Sequence, residues 1–371
     1  MDLVITLMDV WVLDAGQIRE LRETHGVPVA HWMPVDCDPL SAMDERYLRE
    51  SGGIPIAMSR YGQRKLREAG FDALYVPHAI NTRTVFTPDG RDEARASMGI
   101  GDQFVVGINA ANKDAIRKGF FEQFEAFRRF RVRHPEALLL VHALTRAPQA
   151  LDLQAMAQRL GILDSIRFAD QYAYMTGMIT PEMMAHWMKA CDVGSNCAYG
   201  EGFGLANIEF PACGTPPVVT AATAMSELRG AGWAVPGERF WNSAHAAAWF
   251  RPSIPAITRA YETAWREREE GTAEARRKAA REFAIQYDSE TVLREHWVPA
   301  LDAIMERAGR PVRDQVPAAV RDAVTDRLAA ALADGTLPAG EFAVRAAAAV
   351  KASTGAELAS LIADLPVAEA A

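Results

Sequence analysis

Short apolar runs and amphipathic stretches alternate along the first two-thirds of the chain. "DLVITLMDVWVLD" (2–14) reads as a buried strand that begins almost at the first residue, "GQIRELRETHG" as a short helix and "VPVAHWMPVD" as a second strand. "AMDERYLRESGG" is a helix closed by glycines, "IPIAMS" a third strand, "RYGQRKLREAG" its helix and "ALYVPHAI" a further short strand. Residues 81–99 are turn-rich and polar, the composition of a segment between domains. The alternation then resumes. "FVVGIN" precedes "KGFFEQFEAFRRFRVRHP", "ALLLVHA" precedes "ALDLQAMAQRLGI", and "IRFAD" precedes "TPEMMAHWMKAC". "DVGSN" leads to "YGEGFGLANIEF", and "PPVVT" to "MSELRG". Short strands alternating with helices are right-handed βαβ units on a parallel sheet. Two such blocks predict an α/β fold of two Rossmann-like domains, with a ligand cleft between them.

Residues 256–308 read as mainly helical, and from about Pro311 the chain becomes Ala-rich, a small module of three helices joined through "GRPVRDQVP" (309–317). The domain boundaries expected are 1–85, 86–285, a closing helix at 286–310 and the helical tail at 311–371. A chain of 371 residues, 49% hydrophobic and 24% charged, has the length and composition of two or more soluble domains. A net charge of −8 excludes a general nucleic-acid binder. Cys37, Cys191, Cys197 and Cys213 form no C-x-x-C pair, so neither a disulfide framework nor a zinc site is expected, and a cytoplasmic setting is. No apolar run reaches the ~18 residues of a membrane span, and the acidic start is not a signal peptide.

Chemistry concentrates in "YGEGFGLANIEF" (199–210), where Glu201 and Glu209 flank a Gly-Phe-Gly. Gly202 and Gly204 argue against one continuous helix, so the stretch reads as a loop that becomes helical near Leu205. The backbone amides of Phe203, Gly204 and Leu205 then sit at a helix start, a ready anion site that glycine lets a ligand approach closely. Glu209, deeper in the helix, is placed to accept from vicinal hydroxyls, and Glu201 from hydroxyls on the other side of the anion. A nucleoside-diphosphate sugar has that sequence of groups. The plain alternative is a surface helix with two solvated glutamates. In "NAANKDAIRKGFF", Lys113, Arg117 and Lys118 precede a helix start, where cations oppose the helix dipole unless an anion lies between them. A diphosphate shared by Lys118 and the 203–205 amides answers that; a solvated basic loop is the alternative.

"GEGFGLANIEFPACGTPPVVT" resembles the donor-site signature, E-x7-E, of retaining glycosyltransferases of the two-Rossmann-domain (GT-B) type, the group 1 glycosyltransferases. "RKGFFEQFEAF", "MSRYGQRKLREAGFDALYVPHAINTRTVFTP" and "QYDSETVLREHWVPAL" resemble that family's diphosphate segment, interdomain passage and closing helix, so the likeness spans about residues 1–308. The resemblance implies a hexosyltransferase that uses a nucleotide-sugar donor, retains anomeric configuration and needs neither metal nor cofactor. It implies that Glu209 accepts from the ribose hydroxyls and Glu201 from the donor-sugar hydroxyls. Lys118 then neutralises the leaving diphosphate with the 203–205 amides. The family's Gly-Arg reads Gly107-Ile108-Asn109 here, which places Asn109 at the donor and passes the Arg role to Lys113 or Arg117. His78, at a strand end facing the cleft, is a candidate to support the site, and equally a structural histidine; His31 is in the same position.

A complete family member carries a further segment ahead of "DLVITL", so the first domain is expected to be only its latter half. The acceptor stays open: glycan, lipid, protein or modified nucleic acid. The tail resembles a small helical domain of unknown function, which implies a protein partner for residues 311–371.

Other readings carry less. "VDCDP" offers Asp36 and Asp38 in a D-x-D spacing that could hold a divalent ion, but in this α/β pattern it reads as a structural loop. Gly200, Gly202 and Gly204 fall too late in their domain for a nicotinamide site. The phenylalanines from 120 to 130 read as core, and Cys191, Cys197 and Cys213 as small buried residues. A non-catalytic nucleotide-sugar-binding scaffold and a nucleotide-sugar epimerase are the competing functions. The scaffold would bind donor without turnover, and the epimerase would turn it over without acceptor.

Overall fold

The computed structural model describes residues 3–309, 318–352 and 355–365; the linker read at 309–317 lies outside them beyond Gly309. The chain divides into two compact units, Met1–Leu301 and Asp302–Ala371.

In the first unit, strands β1 (Val4–Thr6), β2 (Val29–Met33), β3 (Ile54–Ala57) and β4 (Leu74–Tyr75) form a parallel sheet in that order, with Thr6 beside His31, Trp32 beside Ile56 and Ala57 beside Tyr75. The helices Ala15–Glu23, Ala42–Ser51 and Arg60–Glu68 connect them. Asp14, Ser41 and Ser59 cap these by accepting from the backbone N–H of Gln17, Asp44 and Gly62. Met33, Val35, Leu48, Ala57 and Leu66 are the core between. The run 2–14, expected as one buried strand, is not one. Only Val4–Thr6 pairs, Val10–Val12 is a 3-10 turn, and Leu7, Met8, Trp11 and Val12 are exposed. An apolar run alone does not specify strand, and here it passes beyond the sheet.

The second sheet has six parallel strands. They are β5 (Val105–Asn109), β6 (Leu138–His142), β7 (Ile166–Phe168), β8 (Val193–Asn196), β9 (Pro217–Thr220) and β10 (Trp233–Val235), in spatial order 10-9-8-5-6-7. The order reverses between β5 and β8, and a crevice opens outside the carboxyl ends of strands at such a point. The helix Phe120–Arg131 lays Phe120, Phe124, Phe127 and Phe130 into the core, all at most 1% exposed. Phe121 departs from the expected core run: it falls on the outer face and is 43% exposed. The polar segment 81–99 contains a helix, Arg91–Ser97, whose Arg91 and Arg95 hold Asp192 at 2.7 and 3.4 Å.

After β10 comes an antiparallel hairpin that the sequence reading left unassigned, β11 (Gly237–Asn242) and β12 (Ala247–Pro252). Helices Ile254–Glu269 and Ala273–Ala284 follow. The chain then rejoins the first domain where Ile80 and the 287–289 stretch exchange backbone hydrogen bonds of 3.0 Å. Ser289–Val292, a π-helical turn Leu293–Trp297 and the helix Val298–Arg307 continue it.

The second unit contains the helices Ala318–Ala333, Ala339–Lys351 and Gly355–Ser360, closed over Val324, Leu328, Leu337, Ala349 and Leu358.

Candidate functional site

The carboxyl ends of the two sheets in the first unit face a common cavity of about 670 Å³, which Met33, Met58, Asn109 and Asn196 reach from β2, β3, β5 and β8. The loop after β8 crosses between the sheets, and its glycines explain how. A Cβ at Gly200 would overlap the Asp36 carbonyl oxygen, and one at Gly202 would overlap Pro34. These two glycines therefore admit the first domain, whereas the sequence reading had assigned the room at Gly202 to a ligand. Gly204 has φ +91°, a left-handed backbone that favours glycine, and the helix Ala206–Ala212 begins two residues on.

Glu201 is buried at the mouth of this loop, its backbone N–H donating to Thr223 Oγ1 at 3.2 Å. Two cations converge on its carboxylate. Lys118 Nζ pairs with Oε1, and Arg117 Nη1 lies 3.2 Å from Oε2. Arg117 is aimed by a tight turn in which Asp114 Oδ1 accepts from the N–H groups of Ile116 and Arg117, at 2.9 and 2.6 Å. Burial would push the Glu201 carboxyl up, but Lys118 and Arg117 outweigh it and leave it below the ordinary carboxylate range.

Glu209 is in a different setting. Burial pushes its carboxyl up to about 7, and among the described residues its carboxylate accepts one hydrogen bond, from Asn109 Nδ2 at 3.3 Å. Because Asn109 donates through Nδ2, its Oδ1 accepts from His142 Nδ1 at 2.9 Å. That assigns the proton to Nδ1 and leaves Nε2, which is buried without a hydrogen-bond partner among the described residues, as the acceptor. Burial lowers the His142 pKa to about 4, so the ring is neutral. Tyr174 covers it at 4.8 Å between centroids. The sequence reading missed His142 and Tyr174. The signal available was positional, since His142 ends β6 directly beside Asn109.

Of the residues expected at the site, Glu201, Lys118, Arg117, Asn109, Phe203, Gly204, Leu205 and His78 line the one cavity. Glu209 does not line it and communicates through Asn109, while Lys113 is exposed and outside it. His78 packs against Trp32 and Phe203, at 4.4 and 5.2 Å between centroids, and burial lowers its pKa to about 4. His31 is buried between Thr6 and Tyr47 and does not reach the cavity. Asp36 lines the cavity, whereas Asp38 turns away to Lys65 and Arg239.

Asp36, Cys37 and His245 bring one potential metal ligand each within 4.8 Å of one another. Cys37 packs with Tyr199, Ala247 and Trp249, and burial pushes its thiol up, so it is held as a thiol where a metal requires a thiolate.

This architecture is the GT-B fold. HepE of Anabaena, solved with UDP and glucose, aligns at TM-score 0.61 with 19% identity over 81% of this chain and 78% of its own. Sucrose-phosphate synthase of Thermosynechococcus elongatus aligns at 0.60 with 20% identity, over 78% and 70%. Residues 110–233 match the family model described as "Glycosyl transferases group 1", and residues 316–366 that described as "DUF1707 SHOCT-like domain". Residues 110–233 are thus similar to group 1 glycosyltransferases, and the helical tail to DUF1707 domains. Curated relatives include the D-inositol 3-phosphate glycosyltransferase of Arthrobacter sp. (strain FB24), 27% identical over 43% of this chain and 36% of that protein. That of Mycobacteroides abscessus is 29% identical over 54% and 47%. The chain thus spans less than half the length of these relatives. Among the described residues, no helix is long and apolar enough to cross a membrane.

Proposed function

We propose that the protein transfers a hexose from a nucleoside-diphosphate donor to an acceptor, with retention of configuration and without metal or cofactor. The observation that carries this reading is the convergence of Lys118 and Arg117 on buried Glu201, beside the 203–205 amides, in a cavity at the switch point of the second sheet. In this reading, charge develops on the departing diphosphate, where a preorganised cation and backbone donors stabilise it. Lys118 supplies the cation and the 203–205 amides the donors. Glu201 accepts from hydroxyls of the transferred sugar. Glu209 acts on the ribose through Asn109, the one of the two that lines the cavity. Retention and metal independence rest on the family resemblance, and a cytoplasmic setting on the four cysteines, which are free and buried. The DUF1707 tail is read as an interaction module.

The test is thermal stabilisation by uridine, guanosine and adenosine diphosphates and their hexoses, on wild type and Glu209→Ala, followed by NMR of the product anomer. Stabilisation by one base, lost in the variant, with the donor's anomeric configuration kept, supports the reading. An inverted product removes retention, and no stabilisation by any nucleotide removes the donor site.

A further inference from the structure

The walls of the cavity differ in chemistry. The second domain contributes Arg117 and Lys118. The opposite wall, from the first domain and the hairpin, presents Asp9, Asp36, Ser41, Asp44, His245 and Trp249, with no lysine or arginine among its described residues. Ser41 Oγ donates to Asp44 Oδ2 at 2.7 Å, which orients that carboxyl. Burial pushes both the Asp36 and Asp44 carboxyls up, Asp44 to about 6.

Trp249 adds an independent observation. It is 8% exposed, and its indole Nε1 lies near enough to pull on the Asp36 carboxyl, yet it has no hydrogen-bond partner of ordinary geometry among the described residues. A buried donor left open costs free energy unless something fills it. One group satisfies both sides at once: a hydroxyl accepts from the indole N–H and donates to the carboxylate. A phosphate oxygen could accept from the indole but has no proton to donate to Asp36, and this wall offers it no lysine or arginine among the described residues. Arg117, whose field also reaches Asp36, is already engaged with Glu201 and Asp114.

We propose that this wall receives the acceptor and selects a polyol that carries no phosphate, with Asp36 and Trp249 gripping one hydroxyl between them. The inference rests on the sugar-transfer reading above and names the substrate class of that same site. It also sets this chain apart from relatives whose names specify an inositol phosphate.

The experiment measures nucleoside-diphosphate release by the full chain from uridine, guanosine and adenosine diphosphate hexoses, with glucose, glucosamine and glucose 6-phosphate as acceptor probes. Nucleotide binding is titrated separately. Glucose and glucosamine are expected to drive release roughly tenfold or more above glucose 6-phosphate, because a phosphate on this wall would be desolvated with no cation to pair it. Asp36→Asn should narrow that gap to roughly two- or threefold. Trp249→Phe keeps the ring but removes the N–H. It should raise the KM for glucose and leave the KM for donor unmoved, which a purely structural role for Trp249 would not do. Glucose 6-phosphate matching or exceeding glucose overturns the proposal, as does a preference that neither variant alters. Nucleotide binding with no probe raising release overturns the acceptor inference alone, whereas no nucleotide binding at all overturns the transfer reading and this inference with it.

Discussion

Asp38 and Ala248 exchange both of their backbone hydrogen bonds, Asp38 N–H to the Ala248 carbonyl at 3.0 Å and the reverse at 2.9 Å. A loop of the first domain is thereby stitched to the hairpin of the second, and the Asp38 side chain strengthens the seam through Lys65 at 2.8 Å and Arg239 at 2.7 Å. Asp38→Ala is expected to cost about 1–2 kcal/mol, as loss of charge-assisted hydrogen bonds does. It should also speed amide exchange across residues 237–252. Unchanged exchange there would mean that the backbone pair holds the seam without its side chains.

Glu209 makes stability depend on pH with a definite sign. Its pKa rises from an ordinary 4.5 to about 7 in the fold. Between those values the folded protein keeps a proton that the unfolded chain has lost, so stability falls as pH rises through the window. The cost levels off above it at about 3 kcal/mol. Glu209→Gln removes the ionisation. Its stability relative to wild type should therefore grow by about 3 kcal/mol between about pH 4 and about pH 8 in urea titrations. A difference that stays flat with pH would show that the carboxyl is not held protonated.

The two partners of the central ion pair should not be equivalent. Glu201→Ala takes the carboxylate from Lys118 and leaves Arg117 only its longer pair with Asp114 at 3.6 Å, at a cost of about 3 kcal/mol or more. Lys118→Ala leaves Arg117 on Glu201 and should cost ~1–2 kcal/mol. Denaturant midpoints of the two variants decide it, and the reverse order would rule out the pairing as described.

Gly202→Ala places a methyl group against Pro34 of the other domain. Overpacking of this kind costs about 1–3 kcal/mol. Nucleotide stabilisation should weaken as well, because the loop carrying Glu201 is displaced. A variant with normal stability and normal nucleotide response would show that the interdomain contact yields freely.

Each unit has its own apolar core. A chain ended after Gly309 should therefore keep the nucleotide-dependent thermal shift of the full protein. Loss of the shift would assign the DUF1707 helices a part in the donor site.

The βαβ alternation was legible because buried parallel strands such as Val105–Asn109 and Leu138–His142 are continuous apolar runs set between helices of period 3.6. The E-x7-E loop was legible because glycine and glutamate at that spacing are chemically unusual. What the sequence concealed depends on groups far apart in the chain. Gly200 and Gly202 look the same whether they admit a ligand or Pro34 and Asp36, and only the approach of the domains decides. The hairpin lacked a tight-turn signal: its turn runs through Ser243–Ala246, with Ala246 at φ 48° where glycine or asparagine would be the usual marker. His142 entered the site by pairing with Asn109, a neighbour 33 residues away. At the start of the chain, Trp11 and Val12 satisfied an apolar pattern that no partner strand answers.

With Lys118 and Arg117 already seated on Glu201, the cavity holds an internal counter-ion. A diphosphate cannot simply occupy a waiting positive pocket; it has to compete with a carboxylate for the same nitrogens. Affinity at such a site is the difference between two ion pairs. On the donor reading proposed above, the Glu201 carboxylate is a threshold that favours a bidentate anion over a monodentate one.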